Sequence, residues 1–593
     1  MNVSEYIINF LKEKGTDAGF IVTGGHSMHL NDALCRTPEI RPVFTHHEQA
    51  AAMSADAYAR LSGKLGFAMV TAGPGAINAM NGLLGAYVDS TPVMIVSGQS
   101  NLNQTEYMYK TGIRQYGVQG IATRDLVEKG TKFFATVDDP AKVAYYLEQA
   151  YYMAFEGRPG PVWLEVPLNV QAMRVPEKFL YSFTPAGKAL PSEIRKTACA
   201  EVAGALAGAR RPLIMAGQGV RSAGVIDEFL ELVERYGIPV VTTRLGIDII
   251  EYEHPLFVGH PGNNGDRPAN ITVQNADVII VLGSRMSTSS TGHQTEMFAE
   301  KASVFYIDVD QNELSKPGLN INTRIHDDLR YFLPALLNCE LHIENDITAW
   351  AAHCRNLKYR YPVMQPGYKG GEKINSFYAI DVLSETAGCD DAVITDAGSV
   401  FHVTAQGWKI KKGQRFIASG GLSSMGYWCA VTGAGAAKSR GNAIVVTGEG
   451  SLQMNIQELA TIRQMGKRVK IIVINNGGYL LIRQSQHNYM EDRFFGESSE
   501  SGLVFPDLMA IAAAYGIKGV RIEKHEDLEQ KLRETLDYDG PVLCEVICQE
   551  WQDIIPRVAS DKMPDGTLKQ RNFEDMYPYL PEDELSACML CGE

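Results

Sequence analysis

Residues 442–476, NAIVVTGEGSLQMNIQELATIRQMGKRVKIIVINN, decide how this chain folds. A β-type run ends on Gly448-Glu449-Gly450-Ser451, an amphipathic segment follows, and a second β-run, KIIVI, ends on Asn475-Asn476. Strand, helix and strand in that order predict a parallel pair whose two carboxyl ends share one sheet edge. A carboxylate then sits at the first strand end and an amide pair at the second. The small residues after the first strand let backbone N–H groups approach a phosphate. One carboxylate, one amide oxygen, one backbone carbonyl and two phosphate oxygens make a hard, oxygen-rich shell that suits Mg²⁺. The competing reading of the same residues is an ordinary strand–turn–helix with an asparagine-rich turn.

The same alternation of β-type runs and helical patterns extends outward in both directions, which predicts an α/β chain. The expected architecture is three doubly wound parallel-sheet domains over 1–172, 190–345 and 370–550. An irregular tail, 551–593, is expected either to close over the site as a lid or to pack on the surface. PEKFLYSFTPAGKALPSE (176–193) and YRYPVMQPGYKGGEK (359–373) read as the connecting loops. Ligands of open α/β sheets sit at the carboxyl ends of strands, so each Gly-rich turn is a candidate site.

Bulk properties narrow the function classes. With 55 basic and 69 acidic residues the formal net charge is −14, which argues against a nucleic-acid partner. No apolar run reaches membrane-span length, no secretory segment opens the chain, and cytoplasm is the default compartment. The 10 cysteines are scattered, so a disulfide framework is not expected. Cys588 and Cys591 form one CxxC without further metal ligands nearby. A nicotinamide-dependent dehydrogenase is disfavoured because no GxGxxG with a later ribose-binding acid follows a first strand.

Five segments together carry a resemblance. The pattern Gly-Glu-Gly…Asn-Asn resembles the diphosphate-binding signature of thiamine-diphosphate enzymes, which is Gly-Asp-Gly…Asn-Asn. THHEQAAAMSADAYAR (45–60), TAGPGAINAMNG (71–82), GRPGPVWLEVPLNVQ (157–171) and SGGLSSMGY (419–427) match further segments of that superfamily in order. The nearest group is the acetolactate-synthase-like carboligases and decarboxylases. The departure is Glu449, which stands where the family has Asp and reaches one methylene further.

The resemblance implies thiamine diphosphate and Mg²⁺ as cofactors and names the residues that would serve them. Glu48 would hydrogen-bond the aminopyrimidine. Met425 would support the bent cofactor, and the Ser423 carbonyl would accept from its 4′-amino group. Gly398, Ser399, Gly450 and Ser451 would face the diphosphate, with Leu481 beside the cofactor. Glu449, Asn476 and the Gly478 carbonyl would hold the metal. Gln119, Gly25 and His26 would line the reacting centre, although His26 and His47 equally fit structural roles. Such sites form between subunits in relatives, so a homodimer or homotetramer is expected.

The implied reaction is decarboxylation of a 2-oxo acid, pyruvate first, and transfer of the two-carbon acyl unit to a carbonyl acceptor. Leu481 and Ile482 are apolar where decarboxylases often hold an acid. The acceptor-shaping tryptophan of acetolactate synthases is absent near Ser485. Arg483 and Gln484 could meet a larger, polar or phosphorylated acceptor, or Arg483 could be a solvated loop charge. Segments such as IRQSQ and FEDMYPYL resemble carboligases of surface-polysaccharide or unusual-sugar pathways, which makes a keto-sugar acceptor one expectation. The rivals are a non-ligating decarboxylase and an inactive cofactor-binding regulatory subunit. FAD stays open: AGQGV (216–220) and GSRMSTSSTG (283–292) fall where flavin contacts would lie, but the family's Arg-Phe-Asp-Asp turn is Arg285-Met286-Ser287-Thr288 here.

Overall fold

The computed structural model describes residues 1–176, 178, 180–185 and 192–590. Cys591, half of the CxxC, and part of the 176–193 connection lie outside the described residues. The chain divides into two compact units. The first comprises 1–187, 390–401 and 417–550, and the second comprises 188–389, 402–416 and 551–593.

Three six-stranded parallel sheets carry the fold, as the alternating pattern predicts. The first holds β1 (Ala18–Ile21), β2 (Arg41–Phe44), β3 (Gly66–Val70), β4 (Val93–Gln99), β5 (Phe133–Thr136) and β6 (Val162–Pro167), in the order β2-β1-β3-β4-β6-β5. The second holds β7 (Pro212–Ala216), β8 (Val240–Thr242), β9 (Phe257–Gly259), β10 (Val278–Leu282), β11 (Ser303–Asp308) and β12 (Thr323–His326), in the order β12-β11-β10-β7-β8-β9. The third holds β13 (Ala392–Thr395), β14 (Arg415–Ala418), β15 (Ala443–Gly448), β16 (Val469–Asn475), β17 (Lys518–Ile522) and β18 (Val542–Ile547), in the order β14-β13-β15-β16-β18-β17. Central strands such as β3, β7 and β10 are buried at every position. Helices cover both faces of a parallel sheet, so such strands read as unbroken apolar runs.

The strand order locates the functional edge. Each sheet has a central reversal, a strand pair whose onward connections run in opposite directions, and ligands gather outside the carboxyl ends of the two strands there. In the first sheet the reversal falls between β1 and β3, followed by Thr23–Ser27 and Thr71–Gly75. In the third it falls between β13 and β15, followed by Asp396–Ser399 and Gly448–Ser451. In the second it falls between β7 and β10, followed by 216–220 and 283–287.

One helix within the first unit fixes the position of Glu48. Helix Glu48–Ser62 is alanine-rich and buried along most of its length. Small side chains let its neighbours approach closely. A Cβ on Gly82 of helix Pro74–Val88 would lie 2.5 Å from the Ala52 Cβ. A Cβ on Gly433 of helix Val431–Ala437 would lie 1.9 Å from the Ser54 carbonyl oxygen. Glu48 is therefore the first residue of a helix locked on two sides, with His47 as its N-cap accepting the Gln49 N–H at 3.1 Å.

The C-terminal segment is more ordered than an irregular tail. Arg557–Val558 pairs antiparallel with Met576–Tyr577, Ser560–Lys562 pairs with Leu568–Gln570, and Glu582–Cys588 is helical. Side chains of the second unit fasten it through its carbonyls: Asn270 Nδ2 to Phe573 O at 2.8 Å, Arg267 Nη1 to Met576 O at 3.1 Å and Asn275 Nδ2 to Cys588 O at 2.9 Å. Among the described residues no helix is long and apolar enough to cross a membrane.

Candidate active site

At the carboxyl edge of the first sheet, four of the sequence-derived residues gather. Glu48 is 8% exposed, and its Oε2 accepts the Asn78 Nδ2–H at 2.9 Å. Gly75, on the first turn of helix Pro74–Val88, lies so close that a Cβ there would stand 3.2 Å from Glu48 Oε1. The His26 ring Nδ1 is 3.2 Å from Gln119 Oε1. The His26 backbone N–H reaches Thr71 Oγ1 at 3.3 Å, and its carbonyl accepts Gln171 Nε2–H at 2.6 Å. Gly25 is exposed, with open space where its Cβ would be. Gln119 holds a positive φ of 59°, rare for a side-chain-bearing residue, and its carbonyl fills the place a Cβ on Gly73 would need.

At the carboxyl edge of the third sheet, Asp396 is the hub. Its Oδ1 accepts the N–H groups of Ala397 and Tyr427 at 2.8 and 3.1 Å. Its Oδ2 accepts the hydroxyls of Thr447 and Ser451 at 2.8 and 2.6 Å. Ser451 Oγ in turn accepts the Gly426 N–H at 2.7 Å. The turn after β13, the turn after β15 and the 419–427 segment are thus tied together. Ser451's hydroxyl is spent on that tie, and its backbone N–H lies in the first turn of the short helix Glu449–Gln453. Gly398 has φ 82° with open space beside it, immediately before helix Ser399–Gly407. Ser423 has φ 52°, and its N–H bonds Ser419 O at 2.9 Å. Met425 is half-buried beside it.

Glu449 is 2% exposed, and burial pushes its carboxyl up to about 7 against the pull of nearby backbone N–H groups and the Arg483 charge. Its Oε1 accepts the Gly478 N–H at 2.6 Å. Asn476 is 5% exposed, and its Oδ1 is buried with no hydrogen-bond partner among the described residues. A buried amide oxygen beside a buried carboxylate fits a cation: each is costly to leave without a positive partner. The described residues contain no group of three or more His, Cys, Asp or Glu able to hold a metal. A cation here would draw its other oxygens from main chain, water or a phosphate. Leu481 is half-buried one residue into helix Leu480–Met490.

Arg483 differs from both of its sequence readings. It is 5% exposed, so it is neither a solvated loop charge nor free to greet an acceptor. Its Nε bonds Glu497 Oε2 at 2.7 Å, and its Nη groups donate to main-chain carbonyls. Asp396, Asp89 and Asn78 escaped the sequence reading. Asp89 accepts the N–H groups of Gly420 and Gly421 at 3.0 and 2.8 Å and pairs with buried Arg60, holding the segment that precedes Ser423 and Met425. Asp396 could have been found as an acid at a strand end next to the winding reversal. Asp89 carries no local signal for this role, because the Gly420 and Gly421 N–H groups it holds are 331 and 332 residues away.

The two clusters share no hydrogen bond or ion pair between Glu48 and Glu449, Asn476 or Gly478 among the described residues. In the second unit, the turns 216–220 and 283–287 pack on each other. Gly219 N–H bonds Gly283 O at 2.9 Å, and a Cβ on Gly217 would lie 2.3 Å from that oxygen.

Family models for thiamine pyrophosphate enzymes match all three blocks: the N-terminal TPP-binding domain at 1–125, the central domain at 199–336 and the C-terminal TPP-binding domain at 396–546. The chain is 31% identical to the acetolactate synthase large subunit of Lactococcus lactis subsp. lactis (strain IL1403), over 94% of each protein. It is 30% identical to the chloroplastic acetolactate synthase of Arabidopsis thaliana, over 94% of this chain and 83% of that one. With the winding reversals, the buried acid on the first sheet and the carboxylate–amide pair on the third already in view, this full-length similarity places the chain among the thiamine-diphosphate-dependent, acetolactate-synthase-like enzymes.

Proposed function

We propose that this enzyme decarboxylates a 2-oxo acid, with pyruvate as the leading donor, and transfers the two-carbon acyl unit to a carbonyl acceptor, with a keto-sugar as the refinement its IRQSQ and tail segments favour. The observation that carries the reading is the buried Glu449 carboxylate beside the unpartnered Asn476 Oδ1. Thiamine diphosphate, when bound, supplies the electron sink for the charge left as CO₂ departs.

Glu449, Asn476 and the Gly478 carbonyl would hold Mg²⁺, and the N–H groups around Gly398, Ser399, Gly450 and Ser451 would hold the diphosphate. Glu48 would hold a proton at the far, pyrimidine end through a hydrogen bond. The Ser423 carbonyl would orient the same ring, with Met425 and Leu481 as apolar supports that exclude water. His26 and Gln119 would orient the substrate carbonyl, Gly25 leaving room for it. The Glu48 and Glu449 clusters would face each other across two copies of the chain, in a dimer or tetramer. Decarboxylation and ligation together are redox-neutral, so this reaction calls on no flavin at the 216–220 and 283–287 turns.

The test is product analysis with thiamine diphosphate, Mg²⁺ and pyruvate, with and without keto-sugar acceptors. A branched hydroxyketone supports the reading. Acetaldehyde alone would make the protein a non-ligating decarboxylase, and no CO₂ release from any 2-oxo acid would make it a regulatory subunit.

A further inference from the structure

Asn476 is followed by Gly477 with φ 72° and Gly478 with φ 156°, both in the range glycine alone adopts without strain. Two adjacent glycines give a turn no stiffness of its own. Yet this is the turn from which the carboxylate–amide pair takes its amide and its main-chain carbonyl. Something outside the turn has to fix it.

Arg483 is placed to do so. It lies on the first turn of helix Leu480–Met490, its own N–H bonded to Tyr479 O at 2.9 Å. The planar guanidinium reaches back beneath the turn. Nη1 donates to Asn476 O at 3.3 Å and to Glu550 O at 2.7 Å, and Nη2 donates to Gly477 O at 3.1 Å. Nε is held by Glu497 Oε2 at 2.7 Å, and Glu497 is itself fixed by the Ser498 hydroxyl at 2.6 Å. The Glu497 carbonyl accepts the Tyr479 N–H at 2.7 Å, closing the far side. A Cβ on Gly478 would stand 2.6 Å from Arg483 Nη2 and 2.1 Å from Glu497 O, so the glycine exists to admit this clamp.

We infer that Arg483 is a positioning residue for the cation site: its guanidinium, locked by Glu497, aims the Asn476–Gly478 turn at Glu449. The inference rests on Glu449, Asn476 and Gly478 being that site. A fork of five N–H donors can serve four acceptors at once, whereas a lysine ammonium on a flexible stem cannot.

The experiment uses the full-length protein, Mg²⁺ and thiamine diphosphate, with calorimetric titration of Mg²⁺ at saturating cofactor and thermal unfolding of the cofactor-free protein. Arg483→Lys keeps the charge opposite Glu497 and loses the fork. It is expected to weaken Mg²⁺ binding roughly 10- to 100-fold, the range typical when an outer partner of a ligand is lost, while the cofactor-free unfolding temperature stays near wild type. The double variant Arg483→Met, Glu497→Gln removes both buried charges together and is expected to show the same loss. Mg²⁺ affinity equal to wild type in either folded variant, or a loss that only tracks lowered stability without cofactor, overturns the inference. A wild-type protein that binds no Mg²⁺ under these conditions overturns the site reading itself, which separates the two failures.

Discussion

The Gly478 N–H lies 2.6 Å from Glu449 Oε1, joining the ends of two neighbouring strands through a side chain one methylene longer than the family's aspartate. The extra length lets the carboxylate grip the glycine turn that faces it. Glu449→Gln keeps the reach and the hydrogen bond but removes the charge. We expect Mg²⁺ binding at saturating thiamine diphosphate to weaken by more than about 100-fold, beyond the usual cost of losing an outer partner, with folding intact. Calorimetric titration checks this, and an unchanged affinity would sink the assignment of Glu449 to the cation.

Glu48 is expected to matter for turnover more than for binding. Glu48→Gln retains an oxygen for Asn78 and cannot exchange a proton at neutral pH. CO₂ release from pyruvate should fall roughly 10²- to 10⁴-fold, the usual worth of a positioned proton-handling group. Cofactor affinity should change far less. Steady-state CO₂ assays beside fluorescence titration of the cofactor separate the two effects. Undiminished turnover would remove Glu48 from the mechanism.

The crossing of helices Glu48–Ser62 and Val431–Ala437 is tight enough to test with one methyl group. A Cβ on Gly433 would meet Ser54 O at 1.9 Å, with the Ser54 Cα at 2.9 Å, all of it main chain that cannot swing away. Gly433→Ala should destabilise the protein by on the order of 2–3 kcal/mol, the cost of overpacking a close-packed contact. Thermal and urea unfolding measure it. The same substitution at Gly204, where nothing lies within 4 Å of the added Cβ, is the control and should be near neutral or stabilising.

The sheets were legible because buried parallel strands write themselves as apolar runs, and each Gly-rich turn duly follows a strand at or near a winding reversal. Residues 442–476 gave strand, turn, helix and strand in their right order, from β15 to β16. The candidate site residues on local motifs, such as Glu48 after β2 and Glu449 after β15, lie next to strand ends for the same reason. What stayed hidden depends on distance. Arg483 looks like a loop charge until Glu497 and Glu550 fold back against it, 14 and 67 residues on. Asp89 finds the two glycine N–H groups it holds more than three hundred residues away. The tail reads as irregular because its order comes from side chains of the second unit that reach its carbonyls, such as Asn270 and Asn275, and not from a periodic pattern of its own.

Glu458 provides a pH-dependent test of the packing between the N-terminal and C-terminal thirds of the first unit. It is fully buried, its Oε1 accepts the His46 N–H at 2.9 Å and its Oε2 accepts the Thr461 hydroxyl at 2.8 Å. Burial raises its carboxyl from the ordinary range to about 7, outweighing those hydrogen bonds. The folded protein therefore holds this proton more tightly than the unfolded chain does. The stability that proton confers is fully present below about pH 4.5 and is lost as pH rises through about 7. Glu458→Gln fixes a neutral group of the same shape in its place. The variant should be close to wild type in stability near pH 5 and gain on it toward pH 8, by on the order of 3 kcal/mol across that window. Unfolding of both proteins without cofactor at several pH values reads the difference directly. A difference that stays flat from pH 5 to 8, or that runs the other way, would show that Glu458 is ionised in the folded protein and that His46 and Thr461 stabilise its charge more than burial opposes it.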